Sequence, residues 1–263
     1  MSQIKTLLAI MEKLRDPESG CPWDLKQTYE TIVPHTLEEV YEVIEAIENG
    51  TTNELCEELG DLLFQVVFYA QIAQERGDFN FADIVEGISE KLIRRHPHVF
   101  GDAEVDESEL PAAWNAFKKE ERKKKGKGSE SLMDNLPQAL PALVRARKIQ
   151  NRAASVGFDW QTIEPVWEKL HEEIEEIHEA VNENMGLDRI EDEIGDLLCV
   201  CVNLSRHLGV DAEKALRRSN RKFERRFRYI ESRLDEQGRT TEETTLEEMD
   251  ALWDEAKRRE GDG

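Results

Sequence analysis

Cysteine is scarce in this chain, with four among 263 residues, at Cys21, Cys56, Cys199 and Cys201. Four so unevenly spaced do not make a disulfide framework, and they point to a reducing compartment. Cys199-x-Cys201 lies in an apolar stretch and reads as core filler rather than half a zinc site. Long apolar runs are missing too: none approaches the ~20 residues a bilayer span needs. The segment from Met1 to Leu14 is amphipathic, unlike a secretory leader. A cytoplasmic location with no membrane partner follows as the expectation. Glycine and proline are sparse, at 15 and 8, strand-like alternation is nearly absent, and no Walker-type phosphate loop occurs. No Ser/His/Asp or Cys/His set recurs, so no covalent nucleophile is expected. Positive charge is also short, with 35 Lys and Arg against 57 Asp and Glu, a net charge of −22. That balance argues against nucleic acid as a partner. Phosphorylated small molecules stay open, through metal ions or local basic clusters.

What the chain has is helical periodicity, repeated. A helix is expected from Thr36 to Ile47, opening on a Thr-x-x-Glu capping pattern and stopping before Asn49-Gly50. The next runs from about Asn53 to Arg76, with Leu55, Leu59, Leu62, Leu63, Val66, Val67 and Ala70 at i, i+3, i+4 spacing. A third begins near Phe81, carrying Ile84, Ile88 and Leu92. The order then recurs. Val166 to Val181 is followed by a break over 182–186. A second helix carries Ile190, Ile194, Leu197, Leu198, Cys201, Leu204 and Leu208, and a third follows Gly209. The expected fold is all-α, with two tandem helical-bundle units over 1–100 and 137–263. A charged spacer and linker over 101–136 joins them, including the run Lys118 to Lys125.

One acidic pattern is duplicated with the helices. Glu38-Glu39-x-x-Glu42 precedes Glu58-Leu-Gly-Asp61, and Glu172-Glu173-x-x-Glu176 precedes Glu193-Ile-Gly-Asp196. The offsets are 134 and 135 residues. Residues three apart share a helix face, so each pair projects together. An antiparallel neighbour brings four carboxylates into one cleft, with no basic residue within either motif. Such a set repels itself unless a cation intervenes, and Mg²⁺ takes oxygen ligands while leaving positions for phosphate. Glu39 has a blander reading as the reciprocal member of a Thr36 capping box. Gly60 and Gly195 each cost about 1 kcal/mol within a helix, which implies either close helix packing or room for a ligand.

Basic residues cluster on the third helix of each unit, as Lys91-Leu-Ile-Arg94-Arg95 and as Lys222-Phe-Glu-Arg225-Arg226. They offer a cationic edge to phosphate, or complement a helix C-terminus. His96-Pro97-His98 reads as an extended turn fixed by proline rather than a metal pair. Trp253 is open to two readings, stacking on a base or packing in a core.

In combination, the duplicated acids with Cys21-Pro-Trp-Asp, Arg95-His-Pro-His-Val-Phe and Lys222-Phe-Glu-Arg-Arg resemble the bacterial MazG family over nearly the full length. The resemblance implies an all-α homodimer that hydrolyses nucleoside and deoxynucleoside triphosphates to monophosphate and pyrophosphate with Mg²⁺, Mn²⁺ being a possible substitute. It implies a role in clearing non-canonical nucleotides. Metal ligands fall on Glu173, Glu176, Glu193 and Asp196, and on Glu39, Glu42, Glu58 and Asp61 as a second site. Glu172 is the spare acid, placed to orient water. Nucleotide contacts fall on Lys169, Glu172, Arg189, Glu191, Asp192, Lys222, Phe223, Glu224, Arg225, Arg226 and Trp253. The second unit is expected to be the principal catalyst, because Arg217, Arg218 and Arg221 add cations near its basic cluster. The competing expectation is a non-catalytic acidic helical protein that docks a basic partner.

Overall fold

Capping side chains mark where the three longest helices of the first unit begin. The computed structural model describes residues 3–101 and 131–261, and the chain divides into two units, Met1–Glu121 and Arg122–Gly263. The run Lys118 to Lys125 lies outside the described residues. All regular structure among the described residues is helical.

In the first unit, α1 (Gln3–Leu14) and the short α2 (Pro22–Leu25) precede α3 (Tyr29–Asn49). α3 starts seven residues before the expected Thr36. Its N-cap is Thr28, which exchanges hydrogen bonds with Thr31 in a capping box. Thr36 lies inside the helix, its hydroxyl donating to Ile32 O at 3.1 Å. Glu39 is therefore not a capping residue. Pro34 is accommodated within the helix despite its missing N–H. α4 (Thr52–Arg76) is capped by Thr51 with Glu54 and ends on Gly77, whose φ of +74° is the left-handed conformation glycine supplies. α5 (Phe81–Arg95) is capped by Asn80. The His-Pro-His segment departs from the expected extended turn: Pro97 opens a four-residue helix, α6 (Pro97–Phe100), a position where its absent N–H costs nothing. The core gathers Met11 of α1, Ile32 of α3, and Val67, Phe68 and Ile72 of α4. Arg15 pins it, donating to both carboxylate oxygens of Glu75 and to the carbonyls of Asp24 and Gln27.

The second unit comprises α7 (Ala142–Ala154), α8 (Glu164–Asn182), α9 (Leu187–His207), α10 (Ala212–Asp235), a 3-10 turn (Thr241–Glu243) and α11 (Leu246–Gly261). α8 packs along α9, α10 against α11, and α7 against α9 and α10. α7 and α11 have no counterpart among the helices expected from periodicity. The entry segment before α8 is anchored by Asp159, which pairs with Arg206 and, at 3.3 Å, with His207. The hydrogen bond from Arg206 is the main reason the Asp159 carboxyl is held below the usual carboxylate range. Cys199 and Cys201 are exposed, not core filler as expected. Among the described residues no helix is long and apolar enough to cross a membrane.

Candidate active site

Helix phase explains why acids are buried here. Val166, Glu173 and Ala180 recur every seven residues and are the three buried positions of α8, so a carboxylate occupies the middle of the line that faces α9. Across from it, Glu193 and Val200 are buried on α9. The four-residue break over 183–186 turns the chain back, which makes the two helices antiparallel neighbours. In the first unit Ile32, Glu39 and Ala46 repeat the seven-residue line on α3, with Ile32 and Ala46 buried and Glu39 half-buried.

The second unit brings together oxygens of Glu173, Glu193 and Asp196, all within 4.8 Å of one another. Glu173 is 3 % exposed and Glu193 1 %, while Asp196 opens to solvent. Glu176, the expected fourth member, is half-buried on the next turn of α8 and stands outside this group. The first unit gathers Glu39, Glu58 and Asp61 in the same way, again without the i+3 residue, Glu42. Glu42 is still close enough to raise the pKa of both Glu39 and Glu58. For each of these two, desolvation is the first cause of the rise and neighbouring carboxylates add to it.

The two clusters differ in what neutralises them. In the second, Lys169 Nζ lies 2.7 Å from Glu173 Oε1 and 2.8 Å from Glu172 Oε1, and the Glu172 bond is the leading reason the ammonium's pKa is raised. Arg189 pairs with Glu193 Oε1. The expectation of acids without basic company therefore fails for the folded second unit. These two cations, expected as nucleotide contacts, are paired with the acids here, at an i,i+4 spacing to Glu173 and Glu193 that is legible in the sequence. In the first unit His35 and Glu54 stand in the corresponding places, and Glu39 instead accepts from Gln65 Nε2 at 3.1 Å. Gln65, only 6 % exposed, is outside the expected site residues.

Buried oxygens without hydrogen-bond partners mark both clusters: Glu173 Oε2, Glu193 Oε1 and Gln65 Oε1. Arg189 approaches Glu193 Oε1 as an ion pair without hydrogen-bond geometry. A buried, unsatisfied carboxylate oxygen costs stability unless a cation completes it, so the donor set fits a hard divalent ion. A Cβ added at Gly60 or Gly195 would meet nothing within 4 Å. Close helix packing is thus not why glycine stands beside the acids.

The other expected contacts are more dispersed. Glu172, Glu191 and Asp192 are exposed on α8 and α9. On α10, Arg225 and Arg226 both pair with Glu260 of α11, and Glu224 pairs with Arg228 at 3.5 Å. Trp253 is half-buried, its ring 5.0 Å from that of Phe223 and 5.4 Å from the Arg226 guanidinium. Phe223 itself remains 58 % exposed, and Lys222 is exposed beside it.

Comparison with known proteins accords with this duplicated geometry. The MazG nucleotide pyrophosphohydrolase domain matches twice, at residues 27–100 and 161–230. The chain is 53 % identical to the nucleoside triphosphate pyrophosphohydrolase of Escherichia coli K12, over the whole of both chains. It is 47 % identical to the nucleoside triphosphate pyrophosphohydrolase/pyrophosphatase MazG of Thermotoga maritima, covering 95 % of this chain and 94 % of the other. An uncharacterized Bacillus subtilis protein, YabN, is 44 % identical over 98 % of this chain and 52 % of its own length. Two copies of the domain, each carrying its acids on a helix pair, make this chain a member of the MazG nucleotide pyrophosphohydrolase family.

Proposed function

We propose that this chain hydrolyses nucleoside and deoxynucleoside triphosphates to monophosphate and pyrophosphate, with water attacking the α-phosphorus. The observation that carries the reading is the buried pair Glu173 and Glu193, converging with Asp196 and leaving Glu173 Oε2 without a partner, in a member of this family. Glu173, Glu193 and Asp196 would hold Mg²⁺, with Glu176 one turn away as the fourth ligand. Such an ion offsets phosphate charge and acidifies a coordinated water.

The chain's own residues supply the rest. Glu172, exposed beside Glu173, would orient the attacking water. Arg189, Glu191 and Asp192 line the start of α9 for nucleotide contacts. Lys222, Arg225 and Arg226 would offset charge on the departing pyrophosphate, which requires both arginines to share or leave Glu260. Phe223 presents an exposed ring for a base, backed by Trp253. The first unit's acids form the second cation site in this reading, with the second unit the principal catalyst. A homodimer is proposed from the apolar stripes left exposed on the acid-bearing helices, Leu59, Leu63 and Val66 on α4 and Ile194 and Leu198 on α9, and a cytoplasmic location from the four unpaired cysteines.

The test is incubation of the purified chain with Mg²⁺ and a nucleotide panel in ¹⁸O-water. Monophosphate carrying the label, with unlabelled pyrophosphate, is expected. Diphosphate with phosphate would indicate a different phosphohydrolase, and the absence of turnover would leave only a binding protein.

A further inference from the structure

Two cations lie inside the second unit's acid cluster, and helix stability does not account for them. Pairs at i,i+4 stabilise a helix best when the acid precedes the base. Lys169 precedes Glu173, and Arg189 precedes Glu193, both in the weaker order. Each pair also joins a partly exposed base to an almost fully buried acid, side-chain exposures being 33 % against 3 % and 54 % against 2 %. A buried carboxylate must be paired or neutralised, and these cations do that within the chain. They do it incompletely, because Glu173 Oε2 remains without a partner. In the first unit His35 precedes Glu39 by four residues and Glu54 precedes Glu58 by four. No lysine or arginine holds either place there.

We infer that Lys169 and Arg189 are resident counter-ions of the Glu173–Glu193–Asp196 cluster, which a divalent ion displaces when it binds, whereas the first unit's cluster takes its ion without such competition. The inference rests on the metal reading above. It gives the two sites different affinities from nearly the same acid ligands. It also makes the second unit less dependent on an ion for its fold, because its acids are already partly neutralised.

The test is calorimetric titration of Mg²⁺ into the metal-free full-length chain and its variants K169M, K169R, R189M and H35K, with thermal unfolding recorded in EDTA. Loss of a resident cation is expected to tighten one Mg²⁺ site by about three- to tenfold in K169M and R189M, while lowering the melting temperature in EDTA. K169R, which keeps the charge, should retain wild-type affinity. H35K places a lysine four residues before Glu39 and should weaken the other site. Unchanged or weaker Mg²⁺ binding in K169M and R189M, alongside normal binding by the unsubstituted chain, would overturn the inference and leave the metal reading standing. Absence of Mg²⁺ uptake by the unsubstituted chain would overturn both.

Discussion

Replacing Glu193 by glutamine separates activity from stability in opposite directions. Glu193 is 1 % exposed, and its oxygens lie within 4.8 Å of those of Glu173 and Asp196. Two carboxylates at that distance repel by about 0.9 kcal/mol at the dielectric of water and about 3.5 kcal/mol at an effective dielectric of 20. In the ion-free chain E193Q removes two such repulsions and the cost of burying a charge. Against this it loses one attraction, to Arg189, whose side chain is 54 % exposed; a pair so open to solvent contributes about 1 kcal/mol or less. Repulsion involving exposed Asp196 lies near the lower limit, so a net gain of about 1–2 kcal/mol is expected in EDTA, or roughly 2–8 °C in melting temperature. Turnover should nevertheless fall by at least about a hundredfold, because the ion loses a buried ligand. Thermal unfolding followed by circular dichroism in EDTA, beside a pyrophosphate-release assay, measures both. A variant that melts lower than the unsubstituted chain, or that turns over normally, would refute the reasoning.

Four further outcomes follow from the same geometry. Glu39 and Glu58 have pKa values raised above 4.5 by burial and by neighbouring carboxylates. Their cost is therefore fully present at neutral pH and is relieved as pH falls through the raised values. The stability advantage of E39Q/E58Q in EDTA should be largest near neutrality and shrink towards pH 4.5, and an advantage independent of pH would contradict this. Glu75 runs the other way: Arg15 lowers its pKa from 4.5, so that contribution is held above pH 4.5 and lost below it, which urea melts across pH will register. Arg15→Ala strands two carbonyls and Glu75 and should cost about 2–3 kcal/mol, allowing for Glu75 being a third exposed; a loss below about 1 kcal/mol in urea melts would be too small. Trp253→Ala removes the support behind Phe223 and Arg226 and should raise KM for the nucleotide about tenfold, so steady-state kinetics with unchanged KM would remove the base from this corner.

The helical fold and the pairing of acids are legible in the sequence because both depend on spacing. Seven-residue lines such as Val166, Glu173 and Ala180 can be read from the order of residues alone. Side-chain choice within a turn cannot. Glu176 and Glu42 share the faces of Glu173 and Glu39, yet both stand outside the close groups. The start of α3 differs from expectation because Thr36-x-x-Glu39 and Thr28-x-x-Thr31 both look like caps, and only tertiary packing chooses between them. Tyr69 meets the Thr36 hydroxyl from α4 at 3.0 Å, a contact no local pattern announces. The helix α7 carries four basic residues among 13, and no capping side chain marks its start after Pro141, so the usual start signal is missing from its sequence. Gln65 looks like one polar residue on an apolar helix; only packing against α3 makes it a partner of Glu39.

Most direct is anomalous diffraction from crystals soaked in Mn²⁺. A peak bounded by Glu173, Glu193 and Asp196 is expected, with the Lys169 ammonium and Arg189 guanidinium withdrawn from those carboxylates. Crystals that take up no ion there, with both cations still seated on the acids, would contradict the claim that these helices are built to hold a metal.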